Sequence, residues 1–189
     1  YYGASASRGI YYPMGILLVG SLVKDTFPSW QVEIFDGELY KESELEEKVK
    51  GSDVLGLSAN TNNYQHCIKL ANFAKANGAN LVVVGGPHAS AILRNGEKRQ
   101  PMSELILRNQ QNIDAIITND GEHSFLKLLT ELQKRNPDFS KIENLTWRDK
   151  SQLGIIRSNT VILPTTPARS IDMDFSLMNM QRYWQEHEK

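Results

Sequence analysis

Apolar positions along this chain fall into two kinds of run. DVLGLSAN (53–60), NLVVV (80–84) and DAIITND (114–120) are short, nearly continuous and bounded by Gly, Asn or Asp. A strand buried on both faces reads this way. Between and after them, NYQHCIKLANFAKANG (63–78), PMSELILRNQ (101–110) and EHSFLKLLTELQKRN (122–136) repeat their apolar residues every three or four positions, the period of a helix with one face inward. Ahead of these, MGILLVGSLVKDTF (14–27) predicts a helix with Pro13 in its first turn, QVEIF (31–35) a strand closed by Asp36-Gly37, and ESELEEKVK (42–50) a short amphipathic helix.

Strand and helix therefore alternate four times. Strands apolar throughout, each followed by a helix, imply a doubly wound α/β domain: a parallel sheet covered on both faces and connected right-handedly, flavodoxin-like or Rossmann-like. After Pro137 the pattern changes. ENLTWRD (143–149) and GIIRSN (154–159) predict a small β-hairpin extension against the sheet edge or beside it, LPTTPARSIDMD (163–174) a Pro-containing linker, and FSLMNMQRYWQEHEK (175–189) a last helix with Leu177, Met180 and Trp184 on one face. The expected organisation is an α/β domain over 1–137, a hairpin over 138–163, and a linker with terminal helix over 164–189. In a flavodoxin-like order the first strand is central. No strand precedes YYGASASRG, so a first strand upstream in a longer parent chain is expected.

Composition narrows the chemistry. With 189 residues, 40% hydrophobic and 23% charged, the chain fits one well-buried core. Its 21 Lys and Arg against 22 Asp and Glu give no basic stripe interleaved with aromatics, so no nucleic-acid partner is expected. IYYPMGILLVGSLV is too short to span a bilayer, and no membrane association is expected. The single Cys67 can form neither an internal disulfide nor a Cys-rich metal site, which fits a reducing, cytoplasmic setting. His66, His88, His123 and His187 have no metal-ligand spacing, so no metal site is expected either.

Open parallel sheets bind ligands beyond the carboxyl ends of their strands. The loops that matter are then DGE from Asp36, SANTNNY from Ser58, GGPHAS from Gly85 and NDGEHS from Asn119, all polar and mostly containing glycine. Each has an ordinary reading as well: Gly85-Gly86 as a turn with positive φ, Ser58, Thr61 and Asn62 as helix caps, Glu122 as a residue favoured by the helix dipole, and Asp36 as part of a turn.

Taken in order, DVLGLSANTNNYQHCIKLANFAKANGANLVVVGGPHAS and DAIITNDGEHSFLKLL resemble the cobalamin-binding domain found at the N-terminus of many radical S-adenosylmethionine enzymes. MGILLVGSLVKDTFPSWQVEIFDGE is similar to that family's first helix and second strand, and ENLTWRDKSQLGIIRSNT to the hairpin after its sheet. The resemblance implies a corrinoid lying over the C-terminal rim, its nucleotide tail beside the strand that ends in Gly85-Gly86, where a side chain would project into the ligand's space. It places Ser58, Asn60, Thr61 and Asn62 against the corrin, Pro87 and His88 in the tail-side loop, and Gly121 with Glu122 on the neighbouring wall. It also implies a radical S-adenosylmethionine domain as partner within the parent chain, where a [4Fe–4S] cluster and S-adenosylmethionine would reside.

This sequence departs from the pattern in two ways. It has no D-x-H-x-x-G, so a bound corrinoid is expected base-off without a histidine ligand, and a G-E-G-E loop is reduced to Gly121-Glu122. Cys67 alone cannot supply C-x-x-x-C-x-x-C, so no catalytic residue is assigned here; the reaction implied is that of the parent, a methyltransferase or a related radical enzyme. A nicotinamide dehydrogenase would need G-x-G-x-x-G where the chain has GASASRG, and a receiver domain would need an Asp where the strand ends in SAN. The competing reading is a non-catalytic interaction or positioning module of the same fold that has lost cobalamin.

Overall fold

A computed structural model describes residues 12–162 and 172–187. The described parts of 42–170 form one unit, and those of 1–41 with 171–189 another.

The larger unit is organised by the runs VLGLS, LVVVG and AII. They form β1 (Val54–Ser58), β2 (Leu81–Gly85) and β5 (Ala115–Ile117), hydrogen-bonded in parallel in that order, with Leu55 opposite Val82 and Val84 opposite Ile116. The expected hairpin, β6 (Leu145–Asp149) and β7 (Ile155–Ser158), joins the same sheet antiparallel to β5, giving the order β1-β2-β5-β6-β7. The sheet is thus mixed: three parallel strands continued by two antiparallel ones.

Strand alternation assigns the two faces. Val82, Val84 and Ile116 pack with Ala71 and Ala74 of α3 (Tyr64–Ala76) and with Ile106 and Leu107 of α4 (Met102–Asn109). Leu81, Val83, Ala115 and Ile117 pack on the other face with Leu128 of α5 (Glu122–Leu132) and with Leu145 and Trp147. Helices on both faces explain why β2 is apolar at every position; each such fully buried side chain contributes roughly 2 kcal/mol. The short α2 (Glu42–Val49) adds Val49 to the first face.

The end of the sheet opposite the candidate site is pinned by a buried carboxylate. Asp114, just before β5, accepts the Val82 N–H at 2.9 Å and pairs with Lys75 Nζ at 2.6 Å and Lys150 Nζ at 2.9 Å. Burial alone would push this carboxyl up. The two ammonium groups and the amide outweigh it and hold the group below its ordinary value.

Residues 92–101 form a hairpin that periodicity did not predict: β3 (Ile92–Asn95) and β4 (Lys98–Pro101), an antiparallel pair apart from the main sheet. Gly96, with φ of 60°, opens its two-residue loop, as a type II′ turn requires.

In the smaller unit, α1 (Met14–Thr26) contributes Leu17 to a cluster with Ile34, Met178 and Tyr183. The expected strand over Gln31–Phe35 does not form. Ile34 is buried, but its N–H donates to the Leu177 carbonyl of a 3₁₀ turn (Phe175–Leu177) at 2.9 Å, so the segment meets a turn where a ladder would need a strand. The last helix, α6 (Met180–His187), is present, but its buried aromatic is Tyr183, 2% exposed, while Trp184 stays 58% exposed. The Tyr183 hydroxyl donates to Asp36 Oδ2 at 2.9 Å. That bond and the Glu38 N–H, which donates to Asp36 Oδ1 at 3.0 Å, occupy the Asp36 carboxylate. The linker segment 163–171 lies outside the described residues, as do residues 1–11.

Candidate functional site

Three adjacent parallel strands end together, so the loops after Ser58, Gly85 and Ile117 share one rim of the sheet. In the first loop, Asn60 Oδ1 accepts the N–H groups of Asn62 and Asn63 at 2.9 and 3.0 Å, while Asn63 Oδ1 accepts the Asn60 N–H at 2.8 Å. This reciprocal pair starts α3 much as a capping box does. Asn63 Nδ2 also donates to the Ser58 carbonyl at 3.1 Å. Both amide ends of Asn63 and the Oδ1 of Asn60 are therefore engaged in the turn, and the exposed Thr61 and Asn62 form its tip.

The second loop lies directly against the first. The Ala59 N–H donates to the Gly85 carbonyl and the His88 N–H to the Ala59 carbonyl, each at 2.9 Å. Gly86 has φ of 90°, and a Cβ there would lie 2.7 Å from Ala59 O and 2.9 Å from both Ala59 N and Ser58 Oγ. No side chain fits that space, because the neighbouring loop's own backbone fills it. At Gly85 a Cβ would meet the Ile117 carbonyl at the ordinary distance of 3.4 Å. The glycine pair thus has a reason within the protein, most stringent at its second member. Pro87 is exposed beside it. The His88 ring lies against Tyr64, with centroids 4.3 Å apart and planes at 31°, and its Nδ1 is 3.5 Å from Thr61 Oγ1.

The third loop is tied to the second by Ser90, which sequence reasoning did not single out as a site residue. Its hydroxyl donates to the Gly86 carbonyl at 3.1 Å and accepts the N–H of Asn119 at 2.8 Å. Asn119 has φ of 58°, a conformation that asparagine tolerates better than most residues. The signal for Ser90 was its place four residues past Gly86, within reach of that carbonyl. Gly121 and Glu122 follow at the start of α5, where the Gly121 carbonyl accepts the Phe125 N–H at 2.8 Å. The rim thus brings Ser58, Asn60, Thr61 and Asn62 together with Gly85, Gly86, Pro87 and His88, and Ser90 links these to the loop that carries Gly121 and Glu122.

The chemistry this rim offers is hydrogen bonding: hydroxyl, amide and imidazole groups around small residues. Cys67, beneath the first loop, is pushed up to about 11 by burial, against the opposing pull of a backbone hydrogen bond. Its Sγ lies 3.8 Å from both Ser58 O and Asn63 Oδ1, so this is a structural thiol. Among the described residues, no group of three or more His, Cys, Asp or Glu is arranged to hold a metal ion, and no helix is long and apolar enough to cross a membrane.

No family model matches the chain. It is 29% identical over 146 residues to an uncharacterized methyltransferase of Pyrococcus horikoshii, across 75% of this chain and 29% of that protein. The chain therefore spans less than a third of the length of that curated relative. Among solved structures, the N-terminal domain of a hypothetical protein of Thermotoga maritima aligns with a TM-score of 0.43 and 18% identity, over 71% of this chain and 97% of that one. The chain is thus a mixed α/β protein with a distant similarity to a methyltransferase.

Proposed function

We propose that the rim holds cobalamin, base-off, and that this chain is the corrinoid-binding part of a larger methyltransferase. The observation that carries the reading is the convergence of three small-residue loops at the carboxyl ends of adjacent parallel strands, the place where open α/β sheets take their ligands. The donor set fits the group. A corrin carries peripheral amides, and the exposed Thr61 and Asn62 offer a hydroxyl and an amide at the tip of the first loop, with the His88 ring beside them.

Bound there, cobalamin would supply a cobalt centre able to carry a methyl group. Thr61, Asn62 and His88 would orient the macrocycle through hydrogen bonds, and Ser90 would keep the second and third loops at fixed spacing. Under this reading the [4Fe–4S] cluster, S-adenosylmethionine and the radical domain belong to the rest of the parent protein. The similarity to a methyltransferase over three quarters of the chain supports the reaction class.

The test is reconstitution with hydroxocobalamin followed by gel filtration and visible spectroscopy. The expected result is corrinoid that co-elutes with the protein and shows a base-off spectrum. Loss of all corrinoid from folded protein at micromolar concentration would overturn the proposal in favour of a positioning module of the same fold. An imidazole-coordinated spectrum would overturn the base-off assignment.

A further inference from the structure

The hairpin β3–β4 leaves the rim just after Ser90 and returns to α4, its base closed by the Met102 N–H donating to the Ala91 carbonyl at 2.9 Å. Its register places Arg94 directly opposite Arg99 on one face, next to the Ile92–Pro101 pair, while Lys98 lies on the other face. All three basic side chains are exposed. Among the described residues, none of them has a carboxylate partner.

Two like charges facing each other across a strand pair destabilise a hairpin, and this two-stranded hairpin has no third strand to support it. Opposed residues on one face stand about 5 Å apart at Cβ, so two guanidinium forks can close on one group from either side. Arginine in such a pair favours planar, multidentate recognition of phosphate oxygens.

We propose that Arg94 and Arg99 form an anion clamp for a phosphate monoester or diphosphate group on a small molecule. The charge selects the class. Two adjoining cations match a group with at least two negative charges at one point, whereas a phosphodiester presents one. The clamp is independent of the corrinoid reading and needs no cobalamin for its test.

The experiment follows the side-chain Nε–Hε resonances of Arg94 and Arg99 by NMR while the full chain is titrated with inorganic pyrophosphate at constant ionic strength. A saturable shift of both signals is expected, with binding weakened about tenfold or more in Arg94→Ala and in Arg99→Ala. Lys98→Ala, on the opposite face, should change it by less than about threefold. Arg99→Glu provides the folding control, since it places a carboxylate opposite Arg94. It should melt no lower than the wild type and lose pyrophosphate binding. Three results would overturn the clamp: unshifted arginine signals, a loss in Lys98→Ala equal to that in the arginine variants, or dimethyl phosphate binding as tightly as pyrophosphate.

Discussion

Gly86 and Ala59 touch backbone to backbone: a Cβ on Gly86 would sit 2.7 Å from the Ala59 carbonyl oxygen, and that carbonyl already accepts the His88 N–H. The contact locks the loop after β2 onto the loop after β1. It therefore sets where Thr61 and His88 stand relative to each other, and with them the donor geometry of the rim.

Gly86→Ala should accordingly destabilise the protein whether or not a ligand is present. Positive φ costs an alanine about 1–2 kcal/mol, and the clash is with backbone that cannot rotate away. The expected loss is about 2 kcal/mol or more in urea unfolding. Gly85→Ala, whose Cβ would meet Ile117 O at 3.4 Å, should stay within about 1 kcal/mol of wild type. Equal losses in the two variants would contradict the packing described for Gly86.

Thr61→Val and Asn62→Ala separate binding from folding. Both side chains are exposed at the loop tip, so unfolding midpoints should move by no more than about 0.5 kcal/mol. Retention of hydroxocobalamin on gel filtration should drop in each. Full retention by the double variant would remove these two residues from the ligand's contacts.

Much of this arrangement was legible beforehand, because it rests on local signals. The continuous apolar runs at Val54, Leu81 and Ala115 fixed the three parallel strands, and the helix over 63–78 is found at Tyr64–Ala76, stopping just before Gly78. Three of the four expected rim loops follow from strand direction; the fourth, DGE from Asp36, has no strand before it. The strand over Gln31–Phe35 does not form because a short apolar run closed by Asp36-Gly37 reports burial and a turn and says nothing of whether a neighbouring strand exists; Ile34 meets Leu177 of a 3₁₀ turn instead. The β3–β4 hairpin was missed because Ile92, Leu93, Arg94 and Lys98–Pro101 are exposed and carry no hydrophobic period. Its one local signal, a Gly96 able to open a two-residue loop, is a turn signal that needs no core. Of the Ser90 link only the bond to Gly86, four residues back, is local; the Asn119 N–H that its hydroxyl accepts comes from another loop and depends on tertiary placement.

Cys67 gives a reporter for the first loop. Burial holds its thiol at about 11, so little thiolate is present at neutral pH and access is restricted. In the folded protein, reaction with Ellman's reagent should be slow and should accelerate on adding urea in step with loss of circular dichroism. Rapid reaction in the absence of denaturant would show that the segment around Ser58 and Asn63 opens on its own.

Tyr183→Phe removes the hydroxyl that donates to Asp36. Burial, with the Asp36 carboxylate next in effect, raises this phenol above its ordinary value. A group with a raised folded pKa contributes stability that is complete below the unfolded value, near 10, and is lost as pH climbs through the folded value. The wild type should therefore exceed the variant by about 1 kcal/mol at neutral pH. That margin should shrink only above roughly pH 10. A margin unchanged at strongly alkaline pH would place the Tyr183 proton outside the linkage.

Asp114→Asn tests the opposite end of the sheet and the opposite limb of the pH profile. The wild-type carboxylate holds Lys75, Lys150 and the Val82 N–H together. Replacing it leaves Lys75, whose side chain is only 17% exposed, without its counter-charge. The expected loss is about 2 kcal/mol at neutral pH, below the cost of a fully buried pair because Lys150 is largely solvated. The folded pKa of Asp114 is lowered, so its contribution is complete above the unfolded value, near 4, and falls away as pH drops through the folded value. Wild type and Asp114→Asn should therefore differ by a constant amount above about pH 5 and converge below about pH 4. Urea midpoints measured between neutral and acidic pH would show this, and a difference that widened toward acid would contradict the assigned sign.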